Sequence, residues 1–191
     1  MDLQRIELKV FLDAPADVRF ETVLTIFDRW RQQTDHPSDW VDLADYGHMK
    51  QGPVMLMAGK RDRVAVDTNL PGAGIVVQTQ KGLSGSIEER FVEAFRRHLS
   101  MATQLTAEPE FPAGLTPRGG DWMVTINDRL QFPNNEATDQ AVRSGLVAAL
   151  DRLFGDAGYD LERDTDPQRR YAYRVRAEGN PTLTELAAKL G

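Results

Sequence analysis

The sequence contains no cysteine. That absence excludes a disulfide framework, a thiolate nucleophile and any cysteine-ligated zinc or iron–sulfur site. It is the pattern of a protein kept in a reducing compartment, so a cytoplasmic location is expected. A membrane signature is also missing. Met1 to Asp13 alternates charged and apolar residues with no basic start and long apolar run, and nowhere does the chain approach the roughly eighteen consecutive apolar residues of a spanning helix. Positive charge is in deficit: 23 Lys and Arg stand against 29 Asp and Glu, a formal net charge of -6. Such a chain repels phosphate backbones and anionic lipids, so neither nucleic acid nor membrane is an expected partner. Of three His, none stands at a spacing that completes a local metal site, and no Ser occupies a Gly-x-Ser-x-Gly elbow. No metal and no cofactor are expected.

What is present is a chain of 191 residues, 41% hydrophobic, long enough to bury a core as one compact domain. Ile6, Leu8, Val10 and Leu12 alternate with Glu7, Lys9 and Phe11, the period of a half-buried strand. Phe20, Val23, Leu24, Phe27 and Trp30 recur at helical spacing and predict a helix from Asp17 to Gln33. Trp40 to Tyr46 reads as a strand, and Val54 to Ala58, apolar throughout, reads as a central strand covered on both faces. Arg63 to Asp67 and Ile75 to Thr79 flank Pro71-Gly72-Ala73-Gly74 and predict a hairpin. Ser86-Ile87-Glu88-Glu89 is a capping box that opens a helix with Ile87, Phe91, Phe95, Ala102 and Leu105 on its apolar stripe.

Thr106 to Gly120, rich in Pro and Gly, reads as an unpacked connector. Beyond it come a strand with Trp122, Val124 and Ile126, a helix with Val142, Leu146, Ala149, Leu150 and Leu153, and a hairpin from Tyr159 to Asp164 and Arg169 to Ala177. Pro181 and a Thr182 to Glu185 capping box open a short last helix. The expected fold class is α+β, a mixed or mostly antiparallel sheet with helices on one face. Residues 1–105 form a first β-α-β-β unit with an added hairpin and helix, 106–120 the connector, and 121–191 a second β-α-β-β unit. The common order, with Ile26-Phe27-Asp28-Arg29-Trp30 echoed by Ala149-Leu150-Asp151-Arg152-Leu153, predicts a pseudo-duplication whose seam is a natural ligand site. The alternative is a chance match between common short units.

One polar segment, Asp42 to Arg61, concentrates ionisable groups near strand ends. In its functional reading Asp45 or Asp42 orients His48 as a general base, while Tyr46, Lys60 and Arg61 hold an anionic substrate. Strand alternation puts Asp42 and Asp45 on opposite faces, so the two carboxylates cannot act together on a regular strand. The structural reading has Asp45 capping the turn at Gly47, with Tyr46 packed and His48 held by a carboxylate. The run Asp42-Leu43-Ala44-Asp45-Tyr46-Gly47-His48, followed by Gly52-Pro53 and the apolar strand, resembles an uncharacterised family of bacterial proteins. The similarity extends along most of the chain, including Asn127-Asp128-Arg129-Leu130. The resemblance implies a whole bacterial protein and supplies no activity.

Other features have structural explanations. Lys81-Gly82-Leu83-Ser84-Gly85-Ser86 stands at a helix start without P-loop spacing, and Glu88 and Glu89 favour capping over phosphate binding. His98 lies on the apolar stripe of its helix, and His36 in a loop. Arg170, Arg174 and Arg176 alternate with Tyr171, Tyr173 and Val175 and face Asp160, Glu162 and Asp164, a cross-strand charge pairing and not a nucleic-acid surface. The function expected from these residues is a non-enzymatic binding or assembly protein that contacts a protein partner or itself. The alternatives are a small hydrolase or isomerase-like enzyme working through Asp45 and His48 on a polar metabolite, and a small-ligand sensor at the seam.

Overall fold

A computed structural model describes residues 2–14, 20–33, 38–46, 53–69 and 71–191, with the backbone alone at 53 and 54. The elements in chain order are β1 Ile6–Asp13, α1 Glu21–Arg31, β2 Trp40–Asp45, β3 Pro53–Gly59, β4 Asp62–Asp67, β5 Gly74–Thr79, α2 Ile87–Thr106, β6 Thr116–Ile126, α3 Glu136–Phe154, β7 Tyr159–Arg163, β8 Ala172–Ala177 and α4 Leu183–Leu190. The strands form one eight-stranded sheet in the order β2-β3-β4-β5-β1-β6-β8-β7. Every neighbouring pair is antiparallel. The expected α+β class with helices on one face holds.

One connection rule operates twice. β1 leads through α1 to the far edge at β2, and a meander through β3, β4 and β5 returns to its side. β6 leads through α3 to the opposite edge at β7, and β8 returns beside it. Each return ends in a helix opened by a capping box, Ser86 with Glu89 before α2 and Thr182 with Glu185 before α4. β1 and β6 therefore meet as the central pair.

Alternation along the strands separates the two faces. Ile6, Leu8 and Val10 of β1 and Trp122, Val124 and Ile126 of β6 are buried in a single core with Val23, Phe27 and Trp30 of α1, Phe91, Phe95 and Leu99 of α2, Leu146 and Leu150 of α3 and Leu186 of α4. Each such side chain, fully buried, stabilises the fold by about 1.5–3 kcal/mol. α3 starts where the Asn135 side chain accepts from Thr138 N and stops at Gly155, whose φ of 64° suits glycine. The Lys189 ammonium of α4 then donates to the Phe154 carbonyl at that end.

Three expectations need correction. Val54 to Ala58 is not covered on both faces: β3 is second from the edge, Met55 and Met57 are buried, and Leu56 and Ala58 are half-buried, because helices cover one side only. The connector is neither as long nor as loose as its Pro and Gly content suggested. Strand β6 begins at Thr116, and before it Glu108 and Glu110 clamp Arg29 while Glu108 also accepts from the Trp30 indole at 2.6 Å. The glycines of that region mark a bulge. Val10 pairs with Trp122 but Phe11 pairs with Arg118, so Gly119, Gly120 and Asp121 loop out of register. The first helix ends at Arg31, short of the expected Gln33, and its expected start at Asp17 falls in residues 15–19, outside the described ones.

Candidate functional site

Register across the sheet builds the face that the helices leave open. Ala44, Leu56, Ala65, Val76, Lys9, Met123, Arg174 and Glu162 form a row, each directly opposite the next from β2 to β7. A second row runs Asp42, Ala58, Arg63, Gln78, Glu7, Thr125 and Ala172. The first row is apolar on β2, β3, β4 and β5 and charged on β8 and β7, whereas the second carries its charges at Asp42, Arg63 and Glu7.

Over the β1–β6 seam lies a concavity of about 540 Å³ lined by Glu7, Lys9, Phe11, Val76, Met123, Thr125, Arg129, Arg170 and Ala172 among others. It adjoins one of about 270 Å³ toward β3 and β4, where Leu56 and Arg63 stand. A third of about 430 Å³ lies toward β8, with Arg174 and Arg176. Shared lining residues make these one groove spanning seven strands, about 29 Å at the strand spacing. Its volume is of the order that small-molecule sites occupy.

At the β8 end, Phe11 is fully buried although it points away from the helices. Cations cover it: the Arg174 guanidinium lies 3.4 Å from the ring centroid, Lys9 Nζ 5.1 Å and the Arg118 guanidinium 5.8 Å. Asp121 holds the arrangement, at 2.6 Å from Arg174 and 3.0 Å from Arg118. Arg174 Nε and Nη1 are buried without a hydrogen-bond partner among the described residues, and burial lowers the Arg174 pKa from its ordinary value. Lys9 donates to Asp67 and to the Asn69 carbonyl, both at 3.2 Å. Burial, opposed by Asp67, holds its ammonium below the ordinary lysine range.

Each acidic residue lining the groove is in an ion pair: Glu7 with Arg170, Asp67 with Lys9, Asp164 with Arg169 and Glu162 with Arg176. The expected cross-strand pairing of the last hairpin is thus realised in part, with Arg170 reaching β1 and Arg174 reaching β6. Among the described residues, Arg63 and Arg129 form no ion pair, and both are exposed.

The sequence-predicted site is dispersed. Trp40 pairs with Gly59 and Asp45 with Met55, so Asp45 sits at one end of the β2–β3 ladder and Lys60 and Arg61 at the other, about 17 Å apart along the strand. Asp42 faces the open side and accepts from Leu43 N at 2.9 Å. Tyr46 is half-buried just past β2. Lys60 pairs with Asp39 at 2.7 Å, and Arg61 with Glu93 of α2 at 3.4 Å. His48, Gly47, Gly52 and His36 lie outside the described residues.

Polar groups on the helical side serve the fold. Arg97, almost fully buried, donates to Asp62 at 3.0 Å, to Glu93 at 2.9 Å and to the carbonyls of Lys81 and Gly82. The Gln4 side chain brackets Leu83 and Glu89 accepts from Ser86 N, in keeping with capping at the start of α2. His98 is fully buried, with Nε2 donating to the Ile75 carbonyl at 3.0 Å and its ring 4.7 Å from that of Trp122. Burial lowers its pKa to about 4. Tyr171 and Tyr173 both donate to Asp139 of α3.

No family model and no curated protein matches this chain, so the reading of the site rests on its geometry. Sequence reasoning passed over Lys9, Phe11 and Met123, the centre of the groove. One signal was present: an aromatic residue at the third place of the polar series Glu7, Lys9, Phe11 marks a strand face that is not simply solvated.

Proposed function

We propose that this chain is a non-enzymatic, cytoplasmic binding protein that receives a protein partner on the open face of its sheet, across the seam of β1 and β6. The observation that carries this reading is the groove itself. It crosses seven strands on the side without helices, with Leu56, Ala65, Val76 and Met123 along its floor and arginines at its margins. A second reading, a small-ligand sensor at the same seam, draws on the volume of about 540 Å³. The matching connectivity of the two halves supports an internal duplication with the site at its junction. The enzyme reading has less support, since Asp45 stands far from Arg61.

The lack of cysteine offers a direct test. A single cysteine at Met123→Cys carries an environment-sensitive dye into the groove, and Gln104→Cys carries the same dye to an exposed position on α2. Peptides and metabolites that raise the melting temperature are expected to change the signal at 123 and not at 104. Stabilising compounds that move only the signal at 104, or the lack of any stabilising compound, would overturn the proposal.

A further inference from the structure

We infer that the partner segment is an acidic, amphipathic stretch of polypeptide, lying across the strands with carboxylates on Arg63 and Arg129 and apolar side chains on the floor beside them. This rests on the open face being the binding surface and adds the chemistry of what binds. The argument starts from charge. The groove's own carboxylates are already matched by Lys9, Arg169, Arg170 and Arg176, so a bound segment meets Arg63 and Arg129 as the cations without an ion pair among the described residues. Both stand beside the apolar row of the groove, Arg63 being level with Gln78, Glu7 and Thr125 in the neighbouring one. Arg63 is on β4 and Arg129 follows β6 in the chain, three strand spacings or about 14 Å across the sheet.

The floor beside them, one row along the strands, is Ala65, Val76 and Met123 around Lys9, with Leu56 beyond, which accepts apolar side chains and offers no exposed ring. Phe11, the one aromatic among the described residues lining the seam concavity, is sealed beneath Arg174. A single-stranded nucleic acid would need such a stacking platform. A groove about 29 Å long suits a polymer better than a compact anion, which could meet only one of the two arginines.

The test is a selection of random twelve-residue peptides on the immobilised full chain, followed by anisotropy of the labelled winners. Expected winners carry acidic residues among apolar ones. R63E/R129E should weaken them about tenfold or more, as should M123W, which fills the floor, while R143E at an exposed position of α3 leaves them unchanged. Arg63 and Arg129 are exposed, so the fold should survive, with unaltered melting temperatures as the control. If M123W abolishes binding but R63E/R129E does not, the groove stands and the acidic chemistry fails. If neither variant matters, the open-face reading itself fails. If no peptide is selected, or citrate or labelled oligo-dT binds with sensitivity to M123W where peptides do not, the polypeptide occupant is overturned.

Discussion

Arg174 lies over Phe11 with its guanidinium carbon 3.4 Å from the ring centroid, nearer than either of the other cations around that ring. Because two of its nitrogens lack partners among the described residues, its value to the fold comes mainly from covering the ring, with one charged contact to Asp121. Arg174→Ala is expected to cost about 2 kcal/mol in denaturant unfolding. Arg174→Met should cost less than about 1 kcal/mol, since it covers the ring without a desolvated charge and leaves Asp121 to Arg118. Equal losses in the two variants would refute this account.

His98 makes stability depend on pH. Its pKa is about 4 in the fold and about 6.5 in an unfolded chain, so between these values the unfolded state binds the extra proton. Its contribution is complete above about pH 6.5 and is lost as pH falls toward 4, a change on the order of 3 kcal/mol. Urea melts of the native chain and of His98→Gln across this window should differ in slope. Parallel curves would mean that the imidazole titrates normally.

Arg97 and Asp62 are a buried pair, 7% and 2% exposed at the side chain. Arg97→Met leaves the Asp62 carboxylate buried beside Ser38 Oγ at 3.2 Å, without its cation, and should cost about 3–5 kcal/mol. Adding Asp62→Asn should restore part of that loss, measured by guanidinium unfolding. No recovery in the double variant would show that Arg97 acts through the Lys81 and Gly82 carbonyls instead.

Gly119 sits in the bulge of β6, where a Cβ would overlap the Pro181 carbonyl and approach Leu186. Gly119→Ala must therefore move backbone against backbone, and a loss of about 2 kcal/mol is expected by thermal unfolding. A neutral result would mean that the segment before α4 yields freely.

Much of the fold was legible from the sequence because local patterns agreed with tertiary demands. The two capping boxes, the period of Ile6, Leu8 and Val10 and the stripe from Phe91 to Leu105 each follow from a rule that neighbours in the chain obey. The bulge was not legible, since Gly119 and Gly120 read equally as loop residues until β1 is beside them. Nor was the site. Lys9, Val76 and Met123 are far apart in sequence and become neighbours only through register, whereas Asp45 and Arg61, close in sequence, are separated by the length of a strand.

The central place of β1 has a kinetic meaning. Glu7 pairs with Gln78 on one side and Thr125 on the other, so β1, made before both of its neighbours, waits for partners about 70 and nearly 120 residues later. Non-local closure of this kind slows folding. Until β6 emerges from the ribosome, β1 presents an unpaired edge at the middle of what will be the sheet, a template for wrong pairing between nascent chains. A chain cut between α2 and β6 should accordingly aggregate, even though every element of its own half is present.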